Sequence, residues 1–262
     1  MEKVKTCGIE IDFDKKDGYF INADCVEGMK AFPDNYFDLA ITDPPYGAGF
    51  TEGGGCQGWF SKYHQQPELT TNKRLRFHGS NVNPNDQWYK YTHDEEGNEK
   101  IINWDVAPDK TYFDELFRVS KNQIIWGGNY FDLPPTRCFL VWKKLTISES
   151  FSMAMAEYAW TSFNLNAKVY EHTPQDPTGQ RFHPTEKPLD LYMWIIENYA
   201  KPGDKILDPM AGSANSLRAC RLTGHDYVGF EIDPEYYEKA KARLEADKAQ
   251  MNIFDYLKGD KN

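Results

Sequence analysis

Apolar positions along the chain fall into two alternating kinds of run. Short β-branched and aromatic runs closed by turn residues read as strands: GYFINAD (18–24), FDLAITD (37–43), QIIWGG (123–128), CFLVWKK (138–144), MAEYAW (155–160), KILD (205–208) and DYVGFEID (226–233). Between them lie segments of helical spacing. YFDELFRVSK (112–121) has apolar residues at 113, 116, 117 and 119. PLDLYMWIIENYA (188–200) is closed by KPGD, and SLRACRLTG (216–224) ends on Gly224, the residue a helix C-terminus wants. PEYYEKAKARLEADK (234–248) opens with proline in its first turn, and CVEGMKAFPDNY adds a short helix stopped at Pro33 and Asp34. FDLAITD is apolar enough for a strand buried on both faces. The alternation predicts an α/β fold with a mostly parallel sheet covered by helices on both sides.

Two stretches interrupt it. Roughly 47–104 is irregular, with GGG (53–55), NVNPND (81–86) and the charged HDEEGNEK (93–100), and is too long for a simple connection. The region 165–184 is polar and turn-rich. The expectation is one domain over 1–262 with an insertion at about 47–104 and a frayed C-terminal GDKN.

Composition adds mainly exclusions. With 262 residues, 40% of them hydrophobic, the chain can bury a full core. Nothing approaches about 18 consecutive apolar residues, so no membrane span or membrane partner is expected. The start, MEKVKTCGIEID, has no apolar signal region. Five scattered cysteines without a C-x-x-C argue against a zinc ribbon or a disulfide framework, so no metal is expected and a reducing cytoplasm is the simplest compartment. A formal charge of −10 opposes any extended basic surface, so phosphate contacts would have to come from a local patch.

Candidate chemistry lies in two places. In KILDPMAGSANSLRACRLTGHDYVGFEID a strand ends at Asp208, a small-residue loop enters a helix, and a second strand ends near Glu231, 23 residues on. That is the layout of a mononucleotide-binding βαβ unit, with free N–H groups at the helix start and an acid placed for ribose hydroxyls. Only Gly212 of the usual glycines is present, with Ala214 where another might stand, and an ordinary crossover with a surface acid is the competing reading. Asp208 would repel a pyrophosphate and suits a ligand with a ribose and a cationic tail, such as S-adenosylmethionine. The second place is ITDPPYGAGF (41–50), where Pro44 and Pro45 stop a strand. A conjugated amino group is a poor nucleophile and needs acceptors for its N–H bonds. Asp43 supplies a carboxylate, Pro44 a fixed carbonyl, and Tyr46 a ring on which a flipped base can stack.

These segments resemble the β class of amino-directed DNA methyltransferases. DPPY (43–46) is similar to their motif IV, HPTEKP (183–188) to motif X and DPMAGS (208–213) to motif I, in the permuted order of that class. NADCVEGMKAFPDNYFDLAITDPPYG resembles the family's lead-in, and SKNQIIWGGNYF (120–131) its middle strand. Met210 and Ala214 depart from the family's phenylalanine and glycine. The resemblance implies the Rossmann-like methyltransferase fold, S-adenosylmethionine as cofactor and DNA as substrate, with duplex and single strand both open. It implies that Asp43, Pro44, Pro45 and Tyr46 hold the target base. Asp208, Pro209, Met210, Ala211, Gly212 and Ser213 would wrap the cofactor, Glu231 would take its ribose, Asp24 would lie near its adenine, and Ile232 would also contact the cofactor. His183, Thr185 and Lys187 belong to the motif X segment, with Thr185 or Lys187 on the methionine carboxylate; a surface lysine is the competing reading of Lys187. DPPY accompanies adenine N6 in the family. Cytosine N4, RNA, a protein glutamine amide and a non-catalytic relative stay open, as do a homodimer and a cognate restriction endonuclease in a bacterial or phage-infected cell.

For DNA contact, the insertion offers TNKRLRFH (71–78), with Lys73, Arg74 and Arg76 beside aromatic residues. The family's recognition segment would be short here, about 164–183, with Lys168, His172 and Arg181. Lys143 and Lys144 end a strand on the ligand edge and read equally as phosphate contacts or surface charges.

Overall fold

The computed structural model describes residues 3–14, 18–47, 90–93, 99–102, 105–149, 154–174 and 181–259. In chain order the elements are β1 (Val4–Thr6), β2 (Ile9–Ile11), β3 (Gly18–Asn22), α1 (Cys25–Met29), β4 (Phe37–Thr42), β5 (Lys90–His93), β6 (Glu99–Ile102), α2 (Lys110–Val119) and β7 (Ser120–Trp126). They continue with β8 (Phe139–Lys144), β9 (Ala156–Thr161), β10 (Lys168–His172), α3 (Leu189–Tyr199), β11 (Lys205–Asp208), α4 (Asn215–Leu222), β12 (Asp226–Glu231) and α5 (Pro234–Gly259).

Eight strands form one sheet in the order β10-β8-β9-β7-β4-β11-β12-β3. β9 is antiparallel to both its neighbours, and every other adjacent pair is parallel. The fold is therefore the expected mixed α/β architecture with a mostly parallel sheet. Side chains alternate across it. On β7, Ile124 and Trp126 join a cluster with Leu191 and Ile195 of α3 and Leu217 of α4. Ile125 points the other way, into a cluster with Met29 of α1, Leu116 and Val119 of α2, and Phe230. Both faces are thus sealed by helices, which explains the continuous apolar runs of β4 and β11.

Strands β4 and β11 are neighbours, yet the chain leaves them in opposite directions: β4 is followed in the sheet by β7, and β11 by β12. Their carboxyl ends border the topological switch point, where open α/β sheets bind ligands.

The structure adds elements in three places where the pattern named none. The turn-rich region 165–184 contains β10, an edge strand with an exposed or half-buried side chain at every position, so its apolar signal is weak. The insertion contains an antiparallel pair, β5 with β6. The chain also begins with a β1–β2 hairpin that the pattern did not reveal. Among the described residues, no helix is long and apolar enough to cross a membrane, and no cluster of metal-ligating side chains occurs.

Candidate active site

β4 ends at Thr42, whose hydroxyl pairs with that of Tyr112 on α2 at 2.8 Å. The two prolines then turn the chain over the edge of the sheet, and Tyr46 folds back so that its hydroxyl donates to Asp43 Oδ1 at 2.8 Å. Burial, then the Asp43 charge, pushes the Tyr46 hydroxyl well above its usual range, so it stays protonated and donates. The Tyr46 ring lies parallel to Tyr130, 4.7 Å between centroids. It packs so closely on Gly127 that a Cβ there would stand 2.1 Å from the ring, and Gly127 has a φ of +65°, so glycine is required on both counts. Beyond Tyr46 the Gly47 N–H donates to Asp105 Oδ1 at 2.9 Å, a carboxylate from the far side of the insertion.

A chain of alternating charges runs from Asp43. Lys187 Nζ lies 2.5 Å from Asp43 Oδ2 and 3.0 Å from Glu157 Oε2, and Lys144 Nζ lies 2.5 Å from Glu157 Oε1. The Lys187 ammonium also sits 5.2 Å over the ring of Trp126. Burial pushes the Asp43 carboxyl up, and Lys187 only partly reverses this. Burial acts the same way on Glu157, but Lys187 and Lys144 overcome it and pull that carboxyl down to about 2. Burial works against the Lys187 ammonium, yet Asp43 and Glu157 hold it above its usual range. Lys144 is therefore a buried partner of Glu157, whereas Lys143 pairs with exposed Glu171 at 2.7 Å.

At the neighbouring strand end, Asp208 is 2% exposed. Its Oδ2 accepts from the Ser216 hydroxyl, and its Oδ1 accepts from the Met210 N–H at 3.1 Å. Burial raises its carboxyl to about 7; the Ser216 and Met210 hydrogen bonds oppose this, while Asp43 and Glu231 reinforce it. Pro209 to Ser213 form the turn into α4. Glu231, at the end of β12, accepts from Gly212 N–H at 2.9 Å and from Asp233 N–H at 2.8 Å. The Asp208 and Glu231 carboxylates therefore brace the turn from two strands. Gly212 and Ala214 both have positive φ, +50° and +58°. Glycine adopts that conformation freely, and alanine does so at a cost of roughly 1 kcal/mol. Asp24 caps α1 by accepting from Glu27 N–H at 3.0 Å. Ile232 follows β12 and is 68% exposed.

The segment 181–188 packs against the turn into α4. The His183 ring lies against Gly212, where a Cβ would stand 3.1 Å from its Nε2, and its Nδ1 pairs with the Thr185 hydroxyl at 3.3 Å. Asn215 ties the segment to α4, donating to Glu186 Oε1 at 3.0 Å and to the Lys187 carbonyl at 2.9 Å. His183 and Thr185 thus join the nucleotide-loop residues, whereas Lys187 reaches the Asp43 side. Arg181 donates to the His183 and Pro184 carbonyls at 3.3 and 2.7 Å, bracing its own segment. Lys168 meets Asn198 at 2.7 Å, and His172 lies 3.3 Å from Asp190, both against α3. Lys73, Arg74 and Arg76 lie outside the described residues.

Sequence reasoning missed Glu157, Asn215 and Ser216. Glu157 had one available signal, a single carboxylate inside an otherwise apolar strand, since a buried acid demands a partner. Asn215 and Ser216 had none, because their partners are set by tertiary packing.

The DNA methylase family of N6- and N4-directed enzymes matches this chain over residues 58–242. That span holds the nucleotide loop and the 181–188 segment; Asp43 to Tyr46 precede it. YubD of Escherichia coli (strain K12) is 27% identical across 88% of this chain and 92% of its own length. The type II methyltransferase M.HinfI of Haemophilus influenzae is 23% identical across 90% of this chain and 71% of its own. Among solved structures, PvuII DNA methyltransferase (cytosine-N4-specific) superposes with a TM-score of 0.53 at 14% identity, covering 86% of each chain, a likeness of fold. With more than half its length matched by one family, the chain belongs to the N6/N4 DNA methylases.

Proposed function

We propose that this DNA methyltransferase acts on the exocyclic N6 of adenine, with S-adenosylmethionine as methyl donor. The observation that carries the reading is the pairing of two sites at one switch point. Asp43 and Tyr46 stand at the end of β4, and the acid-lined turn 208–214 at the end of adjacent β11. The residues present fit the cofactor. The turn PMAGSAN has no basic side chain to favour a pyrophosphate, and Asp208 and Glu231 suit a cationic ligand with a ribose. Asp208, Pro209, Met210, Ala211, Gly212 and Ser213 would hold it, with Glu231, Asp24 and Ile232 towards its nucleoside and His183 and Thr185 closing over the turn. When bound, it would supply an activated methyl to the amino nitrogen, with sulfur keeping the electron pair of the broken S–C bond and the displaced amino proton passing to water.

The chain's own residues do the rest. Asp43 and the Pro44 carbonyl accept the amino N–H bonds and draw the lone pair out of conjugation. Tyr46, backed by Tyr130, offers a ring for the extruded base. The aspartate of DPPY supports adenine, by resemblance to enzymes with that motif. The insertion, with Lys73, Arg74 and Arg76, is the DNA-contacting region in this reading. The test is transfer of labelled methyl to unmethylated genomic DNA by the wild-type chain and by Asp43→Ala. Wild-type transfer that vanishes in the variant supports the reading, and full activity of Asp43→Ala removes Asp43 from the chemistry.

A further inference from the structure

We propose that Lys187 is a positioning residue for methyl transfer: its ammonium fixes the orientation and charge of the Asp43 carboxylate, and Glu157, anchored by Lys144, fixes Lys187. The inference rests on Asp43 being the acceptor for the target amino group. Lys187 holds Asp43 Oδ2 at 2.5 Å, and Tyr46 holds Oδ1 at 2.8 Å. Gripped at both oxygens the carboxylate cannot swing, yet each oxygen keeps a lone pair for an incoming N–H. The three N–H bonds of the ammonium face Asp43 Oδ2 at 2.5 Å, Glu157 Oε2 at 3.0 Å and the Tyr46 oxygen at 3.4 Å. No donor is left over for the carboxylate of a cofactor. The Lys187 side chain is 3% exposed, so water does not dilute the pairing. Its backbone is pinned by Asn215 through the 2.9 Å bond to its carbonyl. Two carboxylates and two ammoniums make this partly buried network neutral, which offsets the cost of burying its ammoniums.

The groups facing Asp43 are Tyr46 on its own loop, Lys187, Glu157 on β9, Asp208 on β11, Tyr112 on α2 and Tyr192 on α3. Removing the positive neighbour raises the Asp43 pKa, and removing the negative one lowers it. The two substitutions therefore shift the acid limb of the pH–rate profile in opposite directions, which a loss of packing does not.

The experiment compares Lys187→Met, Lys187→Arg and Glu157→Gln with wild type in the full chain, reading kcat on DNA, its pH profile, and S-adenosylmethionine affinity by calorimetry. Lys187→Met is expected to lose about 100-fold in kcat, the scale of a misplaced catalytic group. Its cofactor affinity should stay within about threefold, and its acid limb should move to higher pH. Lys187→Arg should recover part of the rate, and Glu157→Gln should move the limb to lower pH. If Lys187→Met does not fold, the Arg and Gln variants decide the matter by the same criteria. An unmoved limb with at least about tenfold weaker cofactor binding overturns the proposal and gives Lys187 to the methionine carboxylate. Full activity in Lys187→Met also overturns it. A wild-type chain that transfers no methyl to DNA is a different failure, that of the functional reading, and it takes the inference with it.

Discussion

Asp208 is the residue whose chemistry most constrains the cofactor cleft. Burial holds its carboxyl near 7, far above its value of 3.8 in water. The native state therefore binds this proton more tightly than the unfolded chain. By linkage, stability from this group is present below about pH 4 and is lost as pH rises towards about 7, roughly 4 kcal/mol in all. Asp208→Asn is expected to raise the melting temperature more at about pH 8 than at about pH 5. A cationic cofactor prefers the ionised form, so wild-type affinity for S-adenosylmethionine should climb with pH and level off above about 7, with a proton released on binding. Calorimetry across that range checks this, and a flat wild-type profile would remove Asp208 from the cofactor's surroundings. Ala214 makes a second residue-scale test, because it is fully buried with a φ of +58°. Glycine there removes roughly 1 kcal/mol of strain but gives up a buried methyl worth about 0.8 kcal/mol. Ala214→Gly is expected to leave the urea midpoint nearly unchanged, whereas Ala214→Val, a β-branched residue forced into that region, should destabilise by more than about 2 kcal/mol.

At the scale of elements, the site depends on how the 181–188 segment is fastened to α4. Asn215 satisfies both the Lys187 carbonyl and Glu186, and Arg243 of α5 adds a 2.7 Å bond to the same Glu186 oxygen. Asn215→Ala leaves the Lys187 carbonyl without its donor while Arg243 still holds Glu186, and should cost about 1–3 kcal/mol, with weaker S-adenosylmethionine binding as His183 loses its seat on Gly212. Unchanged stability and affinity would show that the segment is held elsewhere. The elements that build the two strand ends were legible in the sequence. β4 and β11 are apolar runs buried on both faces, and each is stopped by Asp-Pro, which punctuates the chain unmistakably. The α4 helix was legible from Gly224, which takes the left-handed conformation expected after a helix. The edge strand β10 was not, because none of its side chains is buried and nothing imposes an apolar alternation. The Glu157–Lys187 and Asn215–Glu186 pairs join residues about 30 apart, and no periodicity encodes such a pairing. The sequence thus placed Lys187 near the site without revealing which of its two halves it serves.

For the whole molecule, the tension is between a formal charge of −10 and a polyanionic substrate. Overall repulsion has to be offset by local cations, and TNKRLRFH is where the sequence concentrates them. Replacing Lys73, Arg74 and Arg76 together by alanine should weaken DNA binding, with cofactor affinity unchanged. Its salt dependence should flatten by about 0.9 in log–log slope for each phosphate that is no longer neutralised. A variant with wild-type DNA affinity would move the interface to another face. The architecture itself serves chemistry on either amino base, since the fold is shared with an enzyme specific for cytosine N4. The central claim, methyl transfer to adenine N6 through Asp43, is therefore tested most directly by the product. Unmethylated DNA is incubated with the wild-type chain and S-adenosylmethionine, digested to nucleosides and separated. N6-methyladenosine as its deoxynucleoside is the expected product, absent with Asp43→Ala, and N4-methylcytosine in its place would contradict the account.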